Sequence, residues 1–259
     1  RFNGFYNMKY IGITGHRGSG KTSTAYLLGN ILDCLKHGHS KEAIRMYYTD
    51  WCSKIKNNQN AIYDCALDYI YFDEFGEMPK SFVAQLLSID MSVLDNDTMK
   101  DTMYVNLNDF KLYSREDHFC IVDSNWLLLN KSDNCFGEPV YMPLREFVKC
   151  FSIDIMQNIF GSNVWLKVLK VNDSRWNEPD SGWRVFSDVK TTDEIEYIKN
   201  KQGVLIRTKH PSNKKSKKGI TNIENCNPDY IIDTSGELID LFDSIYGIAE
   251  KIYNDERVF

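Results

Sequence analysis

Apolar residues along this chain come in two rhythms, short continuous runs and stretches spaced for one face of a helix, and the two alternate. KYIGIT (9–14) is a β-branched and aromatic run stopped by Gly15, followed by an amphipathic pattern from Lys21 to about Leu35 that predicts a helix. A second helix is expected over 41–57. DYIYFDEFG (68–76) reads as a strand ending in a glycine turn, and Pro79 suits a helix that begins just after it. From Pro143 the spacing of Leu144, Phe147, Val148, Phe151, Ile155 and Ile159 is again helical, and Gly161 ends it. The last hundred residues are the most regular. WRVFSDV (183–189) is strand-like, DEIEYIKNK is a short helix stopped by Gly203, and VLIRTK and DYIIDT are two further strands. A closing helix over 236–254 sets Leu238, Leu241, Phe242, Ile245, Ile248 and Ile252 on one face.

Five strands separated by helices predict an α/β fold, a mostly parallel five-stranded sheet with helices on both faces, whose active edge is the carboxyl end of the strands. The region 90–142 breaks this rhythm. It runs through a turn-rich NDTMKD, an alternating YVNLNDF and an apolar FCIVDSNWLLL, and reads as an insertion of mixed structure.

With 259 residues, 42% of them apolar and 26% charged, the composition is that of an ordinary globular protein and excludes collagen-like, coiled-coil and disordered readings. The longest apolar stretch, the leucines after Trp126, is far short of the ~18 residues that a membrane span needs, so a soluble protein is expected. RFNGFYN (1–7) has neither a basic nor an apolar signal region, and from the strand-like run that opens at Met8 the native start is expected there, with 1–7 as a foreign leader. The expected organisation is one domain over 8–259, with the insertion at about 90–142 and a basic, lid-like loop at about 207–219. Seven cysteines without a CxxC pair suggest reduced, cytoplasmic usage. Cys34, His37 and His39 are spaced like metal ligands, but they lie where a helix ends at Gly38, and a solvated helix end is the better reading. The net charge of −5 gives no general reason to bind a nucleic-acid backbone or a membrane surface. Against that background RTKHPSNKKSKK (207–218) stands out, with six Lys or Arg and no acid.

The chemistry is carried by Gly15-His16-Arg17-Gly18-Ser19-Gly20-Lys21-Thr22, which fits GxxxxGK[ST] after a strand and before a helix. In a phosphate-binding loop of this kind, glycines let successive N–H groups turn inward and the helix start adds its positive dipole end. Lys21 neutralises phosphate oxygens, Thr22 offers a hydroxyl to Mg²⁺, and Ser23 follows in the first helical turn. A glycine-rich turn that merely precedes a helix would not explain a lysine and a threonine in register.

Further elements in the same order resemble a family, the deoxynucleoside monophosphate kinases of tailed bacteriophages, a branch of the P-loop nucleoside monophosphate kinases. After the loop, SDVKTTDEIEYIKNKQGVLIRTKHP is similar to the family's Asp-Val-Arg-Phe, Asn-Glu, short helix, glycine turn and strand ending near Arg and Pro. PLREFVKCFSIDIMQNIFGSNVW resembles its helix with an Arg, then a Gln, a Gly and a Trp, and DYIIDTSGELIDLF resembles the closing strand, turn and helix. The resemblance implies a P-loop NTPase fold with an inserted substrate-binding region. It further implies ATP as donor, Mg²⁺, small-molecule nucleotide partners and work in a host cell's cytoplasm, and it leaves a homodimer open.

Residue by residue, Asp188 would hold Mg²⁺ directly or through water, or else cap the following turn. Arg145 would fork onto a monophosphate, or else bridge to Glu146 or Asp154. Gln157 and Trp165 could meet a base, although a tryptophan on a helix face is more often core. Arg207 is the candidate for transition-state charge, while Lys214 to Lys218 read as solvated. Asp73, Phe75 and Lys80, at and after the second strand, could line an acceptor pocket or simply build a turn. Lys190 stands where the family has Arg, Asp193 where it has Asn and Thr191 where it has an aromatic, whereas Glu194 is kept, and the resemblance implies that Lys190 and Glu194 touch the substrate. Two rivals remain, a P-loop kinase of another small acceptor such as a nucleoside or coenzyme precursor, and a P-loop NTPase that applies its basic loop to nucleic acid.

Overall fold

The computed structural model describes residues 8–57, 67–114, 120–121, 140–173, 182–211 and 226–255. The leader expected at 1–7, most of the apolar patch 119–129, and the basic loop from 212 onward lie outside the described residues. Nine strands occur among the described residues: β1 (Met8–Thr14), β2 (Ile70–Asp73), β3 (Met103–Asn106), β4 (Leu112–Ser114), β5 (Cys120–Ile121), β6 (Val140–Pro143), β7 (Gly182–Val189), β8 (Val204–Lys209) and β9 (Tyr230–Asp233). No helix in this set is long and apolar enough to cross a membrane.

The chain divides into two compact units, one of residues 1–75 and 173–259, the other Gly76–Asn172. The first is a parallel five-stranded sheet in the order β2-β7-β1-β8-β9. β1 sits at its centre because it is apolar on both sides, with Tyr10, Ile11, Ile13 and Thr14 all buried. Ile11 and Ile13 join a core with helix α1 (Lys21–Lys36), helix α2 (Lys41–Asn57) and the C-terminal helix Phe242–Asn254, through Leu27, Leu28, Ile31, Ile44, Tyr48, Ile245 and Ile252. Tyr10 and Gly12 alternate with these and meet the helix Thr192–Asn200. Tyr10, Phe186 and Tyr197 form an aromatic cluster there, and a side chain at Gly12 would come within 3.0 Å of Ile198. The predicted strands and their helices are thus present, with helices on both faces of the sheet. Only the closing helix differs, opening with a 3₁₀ turn over Leu238–Leu241 before Phe242.

The second unit is wider than the insertion expected at 90–142. The helix Glu77–Leu87 and the helical stretch from Leu144 belong to it, because Val83, Leu87, Leu144 and Phe147 share a core with Leu94, Val105 and Met142. Its strands run in the order β4-β3-β6-β5, antiparallel except for β5 and β6. Pro79 falls inside the first turn of Glu77–Leu87 rather than before it, where the N–H it lacks would have had no helical acceptor. The helix read from Pro143 to Gly161 is unbroken along the chain from Leu144 to Phe160, but widens to a π-helix over Cys150–Ile155.

Gly29 lies in mid-α1, where alanine usually improves helix stability. Here an added Cβ would lie 2.7 Å from the Phe72 ring and 3.0 Å from Ile70. Gly29→Ala is therefore expected to destabilise the fold, by about 1–3 kcal/mol as for other overpacked cores. Thermal unfolding followed by circular dichroism checks the sign, and an unchanged or raised midpoint would contradict this packing.

Candidate functional site

The chain leaves the central strand β1 at Thr14 and has to reverse into α1 within six residues, which it does through left-handed glycines. Gly15 has φ +150°, and a Cβ there would lie 2.4 Å from the Thr208 hydroxyl and 2.6 Å from that of Ser19. Gly20 occupies the N-cap of α1 in the left-handed conformation, with no side-chain cap, and the first helical hydrogen bond is Thr24 N–H to Gly20 O at 2.8 Å. The amides of Lys21, Thr22 and Ser23 consequently have no acceptor within the helix, and the positive end of the α1 dipole is uncovered by side chains.

Lys21 folds over this loop, its Nζ donating to His16 O at 2.9 Å, a carbonyl that also accepts from Ser19 N. Burial holds the Lys21 pKa below the ordinary lysine value, Lys190 adds to that shift, and Asp188 opposes it. A cation is thus held half out of water beside a second cation, an arrangement that an anion would relieve. Thr22 and Ser23 are half-buried, while Arg17 and Gly18 are exposed. Two polar atoms of this region are buried without a hydrogen-bond partner, Thr14 Oγ1 and His16 Nδ1.

Asp188 is buried at the carboxyl end of β7, next to β1 in the sheet, and accepts from Phe75 N at 2.7 Å and from Lys190 Nζ at 3.1 Å. It is not the N-cap of the helix that follows. That role falls to Thr191, whose hydroxyl accepts from Glu194 N, while Glu194 accepts from the amides of Lys190 (2.6 Å) and Thr191 (2.8 Å) in a reciprocal capping box. Burial pushes the Glu194 pKa up, although both amides pull it down. Asp73 is turned to Arg184, accepting from its Nε at 2.9 Å, and Phe75 stacks on Phe186 at 4.5 Å between centroids. These two residues build the end of β2. The neighbouring Glu74 reaches the Ser187 hydroxyl at 3.1 Å and brings one more carboxylate to the same sheet edge, a residue that the sequence reading passed over.

Arg207, on β8, donates to Cys226 O at 2.7 Å and to Cys226 Sγ at 2.9 Å. At the end of α1, His37 bonds Asp33 O at 2.9 Å and the Asp68 carboxylate at 3.2 Å. The remaining expected residues belong to the second unit. Arg145 is ion-paired with Asp97 (3.1 Å) and Asp101 (2.5 Å) rather than with Glu146 or Asp154. Lys80 bonds Asp95 at 2.7 Å. Trp165 is buried against Phe82 and Phe151, with its indole N–H on Ser152 O at 2.9 Å, a core position. Gln157 is half-buried on the short helix Met156–Phe160.

The structure therefore brings together Gly15 to Ser23, Asp188 and Lys190, and it adds Thr208 and Thr234, which sequence reading missed. A threonine at or just past a strand's end carries no spacing signal of its own. No protein-family model matches the chain, and a search of curated proteins finds no match to it.

Because its surroundings disfavour the charged form of Lys21, Lys21→Met is expected to melt at a temperature no lower than the parent in the absence of ligands. A depressed lysine pKa means that the folded state gives up this proton sooner, so the penalty is present at neutral pH and fades as pH rises through the depressed value. Comparing the melts of the two proteins at pH 7 and pH 10 tests both statements, and a destabilised variant at pH 7 would refute them.

Proposed function

We propose that the protein transfers the γ-phosphoryl group of ATP, as its magnesium complex, to the 5′-phosphate of a deoxynucleoside monophosphate. The observation that carries this reading is Lys21, held half-buried over a glycine-built reversal between the middle strand of a parallel sheet and an uncapped helix start, with Asp188 on the adjacent strand. A triphosphate offers the negative charge which that arrangement lacks. On this reading Gly15 to Gly20 are a phosphate-binding loop, and Thr22 with Asp188 fit Mg²⁺, which takes one or two protein oxygens besides phosphate and water. Bound Mg²⁺ neutralises charge shared by the terminal phosphates.

Each residue then has a task. The loop amides and Lys21 orient the donor. Lys190 holds the Asp188 carboxylate at 3.1 Å. Arg145 exchanges two aspartates for the acceptor phosphate, and Arg207 supplies charge to the transferring group. The acceptor's phosphate is ionised at neutral pH and needs no strong base, so catalysis is positioning and charge neutralisation. Function in the cytoplasm, with small-molecule nucleotides as partners, follows from the same reading.

Incubation with ATP and Mg²⁺ plus each of the common ribo- and deoxyribonucleoside monophosphates, followed by chromatography, is expected to yield a diphosphate. Phosphorylation of a nucleoside instead would reassign the acceptor, and no ATP consumption with any acceptor would overturn the proposal. Lys21→Ala should lower turnover by roughly 10²-fold or more, and unaltered turnover would remove the loop from the chemistry. Arg145→Ala should raise the acceptor KM while leaving the KM for ATP in place, whereas the reverse pattern would move it to the donor side.

A further inference from the structure

The loop between β1 and α1 is held by more than its glycines. Ser19 is gripped twice, once by its side chain and once by its carbonyl, through hydroxyls from β8 and from the residue just past β9. Thr208, in β8, donates its hydroxyl proton to Thr14 O at 3.2 Å and lies 2.7 Å from Ser19 Oγ. A hydroxyl has one proton, so with that of Thr208 given to Thr14, the bond between the two side chains must run from Ser19 to Thr208. Thr234, just past β9, has its hydroxyl 3.0 Å from Ser19 O and 2.9 Å from Lys209 O, and the two carbonyls share its proton. Thr208 and Thr234 are both buried. The same arrangement excludes any residue but glycine at position 15, whose Cβ would collide with the Thr208 hydroxyl.

The consequence lies in the peptide that follows. No cis peptide occurs among the described residues, and in a trans peptide the C=O and N–H point in opposite directions. Pinning Ser19 O to Thr234 therefore turns the Gly20 N–H away from Thr234, beside the uncapped amides of Lys21 and Thr22. We infer that Thr208 and Thr234 are positioning residues for polyphosphate binding, fixing Ser19 so that the Gly20 amide is already aimed at a phosphate oxygen before the nucleotide arrives. The gain is preorganisation, since a loop that must rotate this peptide on binding gives up affinity. The inference rests on the phosphoryl-transfer reading and specifies which residues outside the loop set its affinity for the donor.

Titration calorimetry of the full chain with ADP, and with inorganic tripolyphosphate, tests it on Thr208→Val, Thr208→Ser, Thr234→Val and Thr234→Ser, each first shown to be folded by circular dichroism. Valine keeps the volume and removes the hydroxyl, while serine keeps the hydroxyl. The valine variants are expected to bind both ligands about tenfold or more weakly and the serine variants within about threefold of the parent, differences that calorimetry resolves. Valine variants that bind like the parent, or serine variants as weak as valine, overturn the inference alone. A parent that binds neither ligand overturns the phosphoryl-transfer reading and the inference with it. Amide resonances give a readout independent of whether the valine variants fold, since in the parent the Gly20 proton should move downfield when ADP is added. An unmoved Gly20 resonance in a parent that binds ADP overturns the inference.

Discussion

A chain that leaves the middle of a parallel sheet and continues as a helix across its face has only a few residues in which to reverse, and here the reversal takes place between Thr14 and Lys21. Left-handed backbone at Gly15 and Gly20 makes the turn sterically possible. It also exposes amides at the start of α1 that neither the helix nor a capping side chain satisfies. The other features of the sheet's carboxyl edge follow from that constraint. Lys21 bends back to a loop carbonyl, hydroxyls from β8 and from the residue after β9 hold the loop from behind, and Asp188 closes the neighbouring strand.

Electrostatics gives the site its character. Burial, and after it the nearby Lys190, depress the Lys21 pKa, and Asp188 only partly compensates. Buried positive charge without a full complement of negative charge is unfavourable in an unliganded protein, and it is the arrangement expected where a polyanion is to be recognised. Arg145 shows the opposite solution, its charge already balanced by Asp97 and Asp101.

Much of the sheet was legible because buried parallel strands write themselves as uninterrupted apolar runs, as in KYIGIT and VLIRTK, and because Gly38, Gly161 and Gly203 mark helix ends. The glycine-rich loop was legible because its spacing is strict. The boundary of the second unit was not, since Glu77–Leu87 and Leu144–Lys149 have ordinary amphipathic patterns, and an apolar stripe does not say which core it joins. The same limit explains Phe75 and Trp165, aromatic residues that could line a pocket in sequence and are buried in packing. Glu194 matches the family's substrate pattern, but its spacing from Thr191 is that of a capping box, a local signal readable without any family. Thr208 and Thr234 were invisible, because their role depends on strands brought together from opposite ends of the chain.

That last point bears on how the protein is made. In the sheet, β1 lies between β7 and β8, so a strand at Met8–Thr14 waits for both neighbours until Gly182–Lys209 has been synthesised. Pairing β2 with β7 likewise encloses the whole of Gly76–Asn172. Closing so long a loop is easier once the enclosed segment has collapsed into its own compact unit, which shortens the effective tether. The second unit therefore matters to assembly as well as to architecture, because its early collapse would bring β2 and β7 within reach of each other.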